Sequence, residues 1–86
     1  MIIEIVEFTV ADEGAFVPLN DRFQEDVAYQ STGLMRRTVA RSDDGTWVDI
    51  RLWSDDSPAQ MSGDASVRAA YGAAVTVLAV RSYRGL

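Results

Sequence analysis

The 86-residue sequence contains no cysteine, no histidine and no lysine, and all eight of its basic side chains are arginines. The missing Cys and Lys exclude thiol nucleophiles, disulfides and Schiff-base chemistry with pyridoxal phosphate. Ordinary zinc sites need Cys or His, and a Walker-type phosphate loop needs a lysine. Any general base must therefore be Asp, Glu or Tyr, and the sequence predicts neither a metal site nor a cofactor.

The formal net charge is −5 and the sequence has no basic stripe, which argues against nucleic acid and anionic membranes as partners. No apolar run approaches the roughly 18–20 residues of a membrane span. Acidic residues interrupt the apolar segment 1–10 and no basic leader precedes it, so we do not predict a signal peptide. We expect a cytoplasmic protein in which residues 1–86 form one domain, since no repeat or linker divides them.

The N-terminal third predicts a strand followed by a helix. Residues 2–10 are rich in β-branched and aromatic side chains. Apolar residues occur at both odd and even positions, which is typical of a strand covered on both faces. An acidic pair at Asp12 and Glu13 indicates a helix start, although Pro18 favours a regular helix that begins nearer Ala15. A helical stripe of core residues follows: Phe16, Leu19, Phe23 and Val27.

The middle of the chain predicts a β-hairpin. Residues 34–41 and 46–53 read as antiparallel strands, and the turn "SDDG" at 42–45 joins them. Gly33 closes the connection that leads into the first of these strands. Asp55 and Asp56, like the acidic residues of the hairpin turn, are expected to form turns and helix caps rather than to bind a cation.

The last third predicts a broken helical region and a fourth strand. Ser57 and Pro58 are typical of a helix start, and Gly63 is expected to break that short helix. Asp64 or Ser66 can cap a second helix around residues 67–71, which Gly72 is expected to end. Residues 75–84 then form the last strand. The order β-α-β-β-α-β predicts an α+β, ferredoxin-like fold with both helical regions on one face of a four-stranded antiparallel sheet.

The strand 46–53 has two unlike faces, and we expect the helices to cover the aliphatic one. That face carries Val48, Ile50 and Leu52. The other carries Trp47, Asp49, Arg51 and Trp53. Two indoles left in water would form a patch of about 300–500 Å², as large as soluble monomers normally show. The sequence therefore predicts that this second face packs against another copy of the chain in a homodimer, oriented by paired Asp49 and Arg51.

The chain resembles the dimeric α/β-barrel superfamily, and within it the small proteins related to antibiotic-biosynthesis monooxygenases. The resemblance lies in "MIIEIVEFTV" with its acidic helix start, in "GLMRRTVARSDDGTWVDIRLWSD" and in the terminal "VRSYRGL". It implies a homodimer whose sheets form a barrel, often with a small-molecule pocket between sheet and helices. Some members oxidise aromatic polyketides with O₂ and no cofactor, others degrade haem, and many have no assigned activity.

The sequence departs from this family in two respects. The haem-degrading members rely on a histidine, which is missing here. The cofactor-free oxygenases tend to use a Trp with Asn, Tyr and Arg near a phenolic substrate; Trp53 matches such a Trp, and Asn20 is the only asparagine. The segment that normally roofs the pocket also looks short, which implies a smaller or more open pocket, or none.

These observations select candidate site residues, each with a structural alternative. We predict Trp53, Asp49 and Arg51 as the catalytic group, with a purely structural ion pair as the alternative for Asp49 and Arg51. The predicted ligand-binding residues are Trp47, Tyr71, Asn20 and Phe23, although Phe23 and the indoles also fit simple core packing. Arg36 and Arg37 alternate faces, so at most one of them looks inward, and a solvated arginine is the default expectation for both. Glu7 is expected to pair with an arginine such as Arg51 or Arg81.

Two function classes remain open at this point. The first is cofactor-independent oxygenation of a small aromatic or phenolic metabolite, in which an acid–base pair removes a proton and Arg stabilises the developing charge. The second is a non-catalytic homodimer that binds a small ligand or acts as a scaffold. A pocket could lie within the protomer or in the barrel of the dimer.

Overall fold

The computed structural model describes residues 1–54 and 60–86, so the turn predicted at Asp55 and Asp56 and the helix start predicted at Ser57 and Pro58 lie outside it. The elements are β1 (Ile2–Val10), α1 (Glu13–Asp26), a one-turn 3₁₀ helix (Ala28–Gln30), β2 (Leu34–Arg41), β3 (Trp47–Trp53), α2 (Ala65–Ala74) and β4 (Val75–Arg84). Over the described ranges, neither helix is long and apolar enough to cross a membrane.

The four strands form one antiparallel sheet in the order β2-β3-β1-β4. The central strand β1 pairs with β3, where Ile5 lies opposite Ile50, and with β4, where Val6 lies opposite Val80. A bulge interrupts the pairing with β4 between Glu7 and Phe8. The α+β, ferredoxin-like fold and its strands were correctly predicted from the sequence.

Helix α1 begins earlier than its proline suggested. The Asp12 carboxylate accepts a hydrogen bond from the Ala15 N–H at 3.1 Å, and the Phe16 N–H donates to the Asp12 carbonyl at 3.0 Å. This capped first turn is complete before Pro18, whose missing N–H removes one bond from a helix already under way. The expectation that the regular helix starts nearer Ala15 is therefore wrong.

Helix α2 is capped by Asp64, whose carboxylate accepts from the N–H groups of Ser66 at 2.9 Å and Val67 at 3.2 Å. The expectation that Gly72 ends this helix is wrong, because the helix continues to Ala74 and β4 begins at the next residue. Gly72 is not among the glycines with positive φ, and the alanines that follow favour helix.

The helices cover the face of β3 that we expected to be open. Trp53 and Asp49 are 0% exposed, and Trp47 packs against Phe8 and Phe16 with ring centroids 6.3 and 5.1 Å apart. The prediction that the Trp face packs on a second copy is wrong, because aromatic bulk fills the layer between sheet and helices and Asp49 is neutralised there by arginines. The face away from the helices carries aliphatic side chains, named here the open face: Ile3, Ile5, Val48, Ile50 and Leu52.

Two glycines offer a matched test of this fold. Gly63 has φ +92°, and a Cβ there would lie 2.4 Å from the Asp26 carbonyl oxygen. Gly63→Ala should therefore lower the free energy of unfolding by about 2–4 kcal/mol. Gly72→Ala meets nothing within 4 Å and should raise it by roughly 0.5–1 kcal/mol. Urea unfolding followed by circular dichroism measures both, and equal effects would contradict the geometry.

Candidate functional site

Asp49 lies at the centre of a buried polar network between the sheet and the helices. Its Oδ2 accepts from the Tyr71 hydroxyl at 3.0 Å, from Arg51 Nη2 at 3.0 Å and from Arg37 Nε at 3.1 Å. Strands β2 and β3 and helix α2 each supply one of these donors. The buried carboxylate is therefore paired with two guanidinium groups, which is the condition for keeping a charge out of water.

The pairing of β2 with β3 explains why Asp49 is needed at this position. Arg37 and Arg51 lie directly opposite each other in the register of the two strands. Two like charges so placed repel each other. Asp49 shares a face with Arg51 and reaches both guanidinium groups, so its negative charge lies between the two positive ones. The predicted pairing of Asp49 with Arg51 thus occurs within one protomer.

Arg37 belongs to the site and is the inward-facing member of the pair Arg36 and Arg37, whereas a solvated side chain was the default expectation. The side chain is 1% exposed. Its Nη2 donates to Asn20 Oδ1 at 2.7 Å and to the Tyr71 hydroxyl at 3.2 Å, and its Nη1 donates to Gln24 Oε1 at 3.0 Å. The guanidinium carbon lies 4.7 Å from the centroid of the Phe23 ring. Helix α1 therefore brings the predicted residues Asn20 and Phe23 to the site through Arg37.

Glu4 extends the network towards Trp53. Its Oε1 accepts from Arg51 Nη1 and from Trp53 Nε1, both at 3.4 Å. Burial alone would lower the pKa of Arg51, but the Asp49 and Glu4 carboxylates offset it and the pKa is raised. Arg51 therefore remains a cation. The sequence analysis did not identify Glu4 as a site residue. Side chains alternate between the two faces of a strand, so Glu4 shares a face with Phe8, and this alternation could have identified it.

Tyr71 acts in this network as a protonated phenol. It is 7% exposed and stacks on Phe23 with ring centroids 4.1 Å apart. Burial, followed by the charge of Asp49, raises its pKa to about 12, while Arg37 opposes the rise. A phenol with this pKa is a hydrogen-bond donor at neutral pH rather than a base.

Three buried polar atoms on β3 have no hydrogen-bond partner in the described part of the chain: Trp47 Nε1, Asp49 Oδ1 and Arg51 Nε. They belong to alternate residues of one strand and so lie on one face. Leaving such atoms unpaired costs about 1–3 kcal/mol each. Asp49 Oδ1 is an acceptor, and Arg51 Nε and Trp47 Nε1 are donors.

Trp47 also lines an open surface pocket of about 410 Å³ at the end of the hairpin. The other lining residues are Glu7, Ser42, Asp44, Thr46 and Val48. Glu7 forms an ion pair there with Arg81 at 3.5 Å, and Arg81 was one of the two arginine partners predicted for it. Glu7 and Val48 lie on the open-face side of the sheet, whereas Asp49 lies on the helix side and is not among the residues that line this pocket.

The structure brings most of the predicted residues into one network. Asp49, Arg51, Tyr71 and Asn20 are hydrogen-bonded members of it, Phe23 contacts it, and Trp53 is attached through Glu4. Trp47 packs beside it. Across residues 1–54 and 60–86, no group of three or more acidic side chains is placed to hold a metal ion.

The raised pKa of Tyr71 gives a signed dependence of stability on pH. The ordinary pKa is 10.0 and the folded one about 12, so the contribution of the protonated phenol is complete below about pH 10 and is lost as pH rises towards 12. Between about pH 9 and 12 the wild type should lose about 2–3 kcal/mol relative to Tyr71→Phe in urea unfolding. Tyr83→Phe, at a site 52% exposed, is the control; a wild type that tracks Tyr71→Phe across this range would refute the raised pKa.

Comparison with known proteins shows the fold. No family model matches the chain, and no curated protein matches it. The crystal structure of a putative antibiotic biosynthesis monooxygenase from Deinococcus radiodurans is similar, with a TM-score of 0.58 and 16% sequence identity over 99% of this chain and 92% of that one. The chain therefore shares its fold with that protein, in agreement with the fold that the sequence resemblance implied.

Proposed function

We propose that the protein is a cofactor-independent, monooxygenase-like protein that acts on a small aromatic or phenolic metabolite. The observation that carries this proposal is the asymmetry of Asp49. One oxygen of this buried carboxylate accepts three hydrogen bonds, and the other has no partner among the described residues. A base with one free lone-pair face, held beside a cation, is suited to taking a proton from a substrate hydroxyl.

In the proposed reaction, Asp49 Oδ1 accepts the hydroxyl proton and Arg51 Nε donates to the resulting oxyanion. The phenolate carries negative charge on the ring carbon that is a CH₂ group in the keto tautomer; this carbon forms a C–O bond with O₂, and the resulting peroxide takes the proton back from Asp49 to give a hydroperoxide. Loss of water then leaves a carbonyl, so one oxygen atom enters the product and the other leaves as water. Tyr71 keeps its proton and holds Asp49 in place.

The surface pocket at the hairpin supplies a route to this site in our proposal. Glu7 and Val48 line the pocket from the open-face side of the sheet, so a ligand would reach Asp49 on the helix side only by displacing Trp47 at the end of the hairpin. Glu7 and Asp44 line the pocket and repel anions, as does the net charge of −5. The ligand would therefore arrive as a neutral phenol and lose its proton only at the buried carboxylate.

We propose further that the protein is a homodimer whose open faces pack together. Ile5 and Ile50 lie opposite each other on the two central strands, and Ile3, Val48 and Leu52 surround them. Contiguous aliphatic side chains on an uncovered sheet face are typical of a protein interface. This interface differs from the one predicted from the sequence, because the tryptophans lie on the other side of the sheet.

A second candidate, a non-catalytic dimer with a ligand-binding or scaffold role, is favoured by the packing of the aromatic layer. Phe16 contacts both Trp47 and Tyr71, with centroids 5.1 and 5.7 Å apart, and Phe23 stacks on Tyr71. These rings occupy the layer between sheet and helices where the family resemblance implies a pocket. In this alternative, the Asp49 network serves only to fix the fold.

The dimer is tested by light scattering on a size-exclusion column. The wild type should have about twice the 9.5 kDa mass of the protomer. Ile50→Glu places a charge in the open face and should yield the monomer, since a desolvated, unpaired charge is costly. Val17→Glu, on helix α1 at a site 50% exposed, should remain dimeric. A wild type that is monomeric at micromolar concentration rules the interface out.

The reaction is tested with an oxygen electrode and a panel of phenol, 1-naphthol and 2-naphthol derivatives that carry an activated CH₂ group. Asp49→Asn should lower turnover at least about 100-fold, because an amide cannot accept the proton. Asp21→Asn, exposed on α1, is the matched control and should turn over normally. A folded Asp49→Asn that keeps wild-type turnover contradicts the proposal, and binding of a phenol with no O₂ uptake supports the non-catalytic candidate.

A further inference from the structure

We propose that Arg37 is a positioning residue that determines which oxygen of Asp49 receives the substrate proton. This inference rests on the proposed function and adds a residue to it. Arg37 acts through Asp49 and does not contact the atoms that react. The supporting observations are its two contacts with a single carboxylate oxygen, its anchoring by α1 and the burial of its side chain.

Arg37 places both of its contacts with Asp49 on the same oxygen. Its Nε and its Nη2 each lie 3.1 Å from Oδ2. Arg51 and Tyr71 add donors to this oxygen at 3.0 Å. An ionised carboxylate has about four acceptor sites over two oxygens. Donors gathered on Oδ2 therefore leave Oδ1 as the basic oxygen.

Helix α1 fixes the orientation of the Arg37 guanidinium. Gln24 accepts from Nη1 and Asn20 accepts from Nη2, and the guanidinium carbon lies over the Phe23 ring. These three residues recur along the helix at intervals of three and one, so they approach the guanidinium from neighbouring turns. All three guanidinium nitrogens of Arg37 have an acceptor, so its contacts with Oδ2 keep one orientation and the free oxygen Oδ1 keeps one direction.

Lysine cannot replace this arrangement. An ammonium is a single point charge on a flexible stem, whereas the guanidinium presents a rigid fork of donors. Arg37→Lys keeps the positive charge beside Asp49, but it cannot hold Oδ2, Asn20 and Gln24 at once. The carboxylate can then turn about its own bond, and the free oxygen no longer has a fixed direction. The substrate hydroxyl would lose its acceptor while the aromatic surroundings of the ring remain.

The test compares the binding of phenol and of its methyl ether, anisole, by ligand-observed NMR titration. In anisole a methyl group replaces the hydroxyl hydrogen, so anisole cannot donate a hydrogen bond. Wild-type protein should bind phenol on the order of tenfold more tightly than anisole, since only phenol can donate to Asp49. Arg37→Lys should reduce this ratio to about one and leave the Kd for anisole within about threefold of wild type. A purely structural role would weaken both probes equally.

The matched control is Arg36→Lys, because Arg36 is the exposed neighbour on the opposite face of β2 and should keep the wild-type ratio. If Arg37→Lys does not fold, Gln24→Met removes the Nη1 acceptor at constant length and should lower the ratio instead. A wild-type protein without preference for phenol overturns the proposed function itself. A wild-type preference that persists in folded Arg37→Lys, or a loss of affinity that is equal for both probes, overturns the positioning role alone.

Discussion

A carboxylate held between two facing arginines is the interaction on which this structure depends. Strands β2 and β3 can pair in their observed register only if the charges of Arg37 and Arg51 are neutralised where they meet. Asp49 does so from the same face, and Tyr71 completes its surroundings from α2. Breaking a buried pair of this kind typically costs 3–5 kcal/mol, a large share of the stability of a small domain. The network therefore ties the hairpin to both helices.

The architecture was predictable because it rests on local signals. β-Branched runs mark the strands, Ser42 to Gly45 marks the hairpin, and Asp12 and Asp64 are the caps of the two helices. The predicted helix boundaries near Pro18 and Gly72 were wrong. Each of these residues disfavours a helix, but the neighbouring residues stabilise one. A capped first turn preceded the proline, and alanines followed the glycine.

The face of β3 was assigned wrongly because hydrophobicity alone was used to choose it. Val48, Ile50 and Leu52 look like the core side of the strand, and a side that contains Asp49 and Arg51 looks solvated. The deciding information was not local: Arg37 lies opposite Arg51, and its acceptors come from α1. A charge can be buried only with its partners, and the partners of Asp49 lie on three separate elements. For the same reason the sequence analysis missed Arg37 and Glu4 as members of the network.

The direct junction of α2 and β4 has a mechanical consequence. No loop separates Ala74 from Val75, and Tyr71 lies one helical turn before the junction. A loop would absorb a small displacement of the strand, whereas a continuous backbone transmits it to the helix. The position of the Tyr71 hydroxyl beside Asp49 is therefore set in part by the register in which β4 pairs with β1. An edge strand and a buried hydrogen bond on the other side of the helix are thus fixed together.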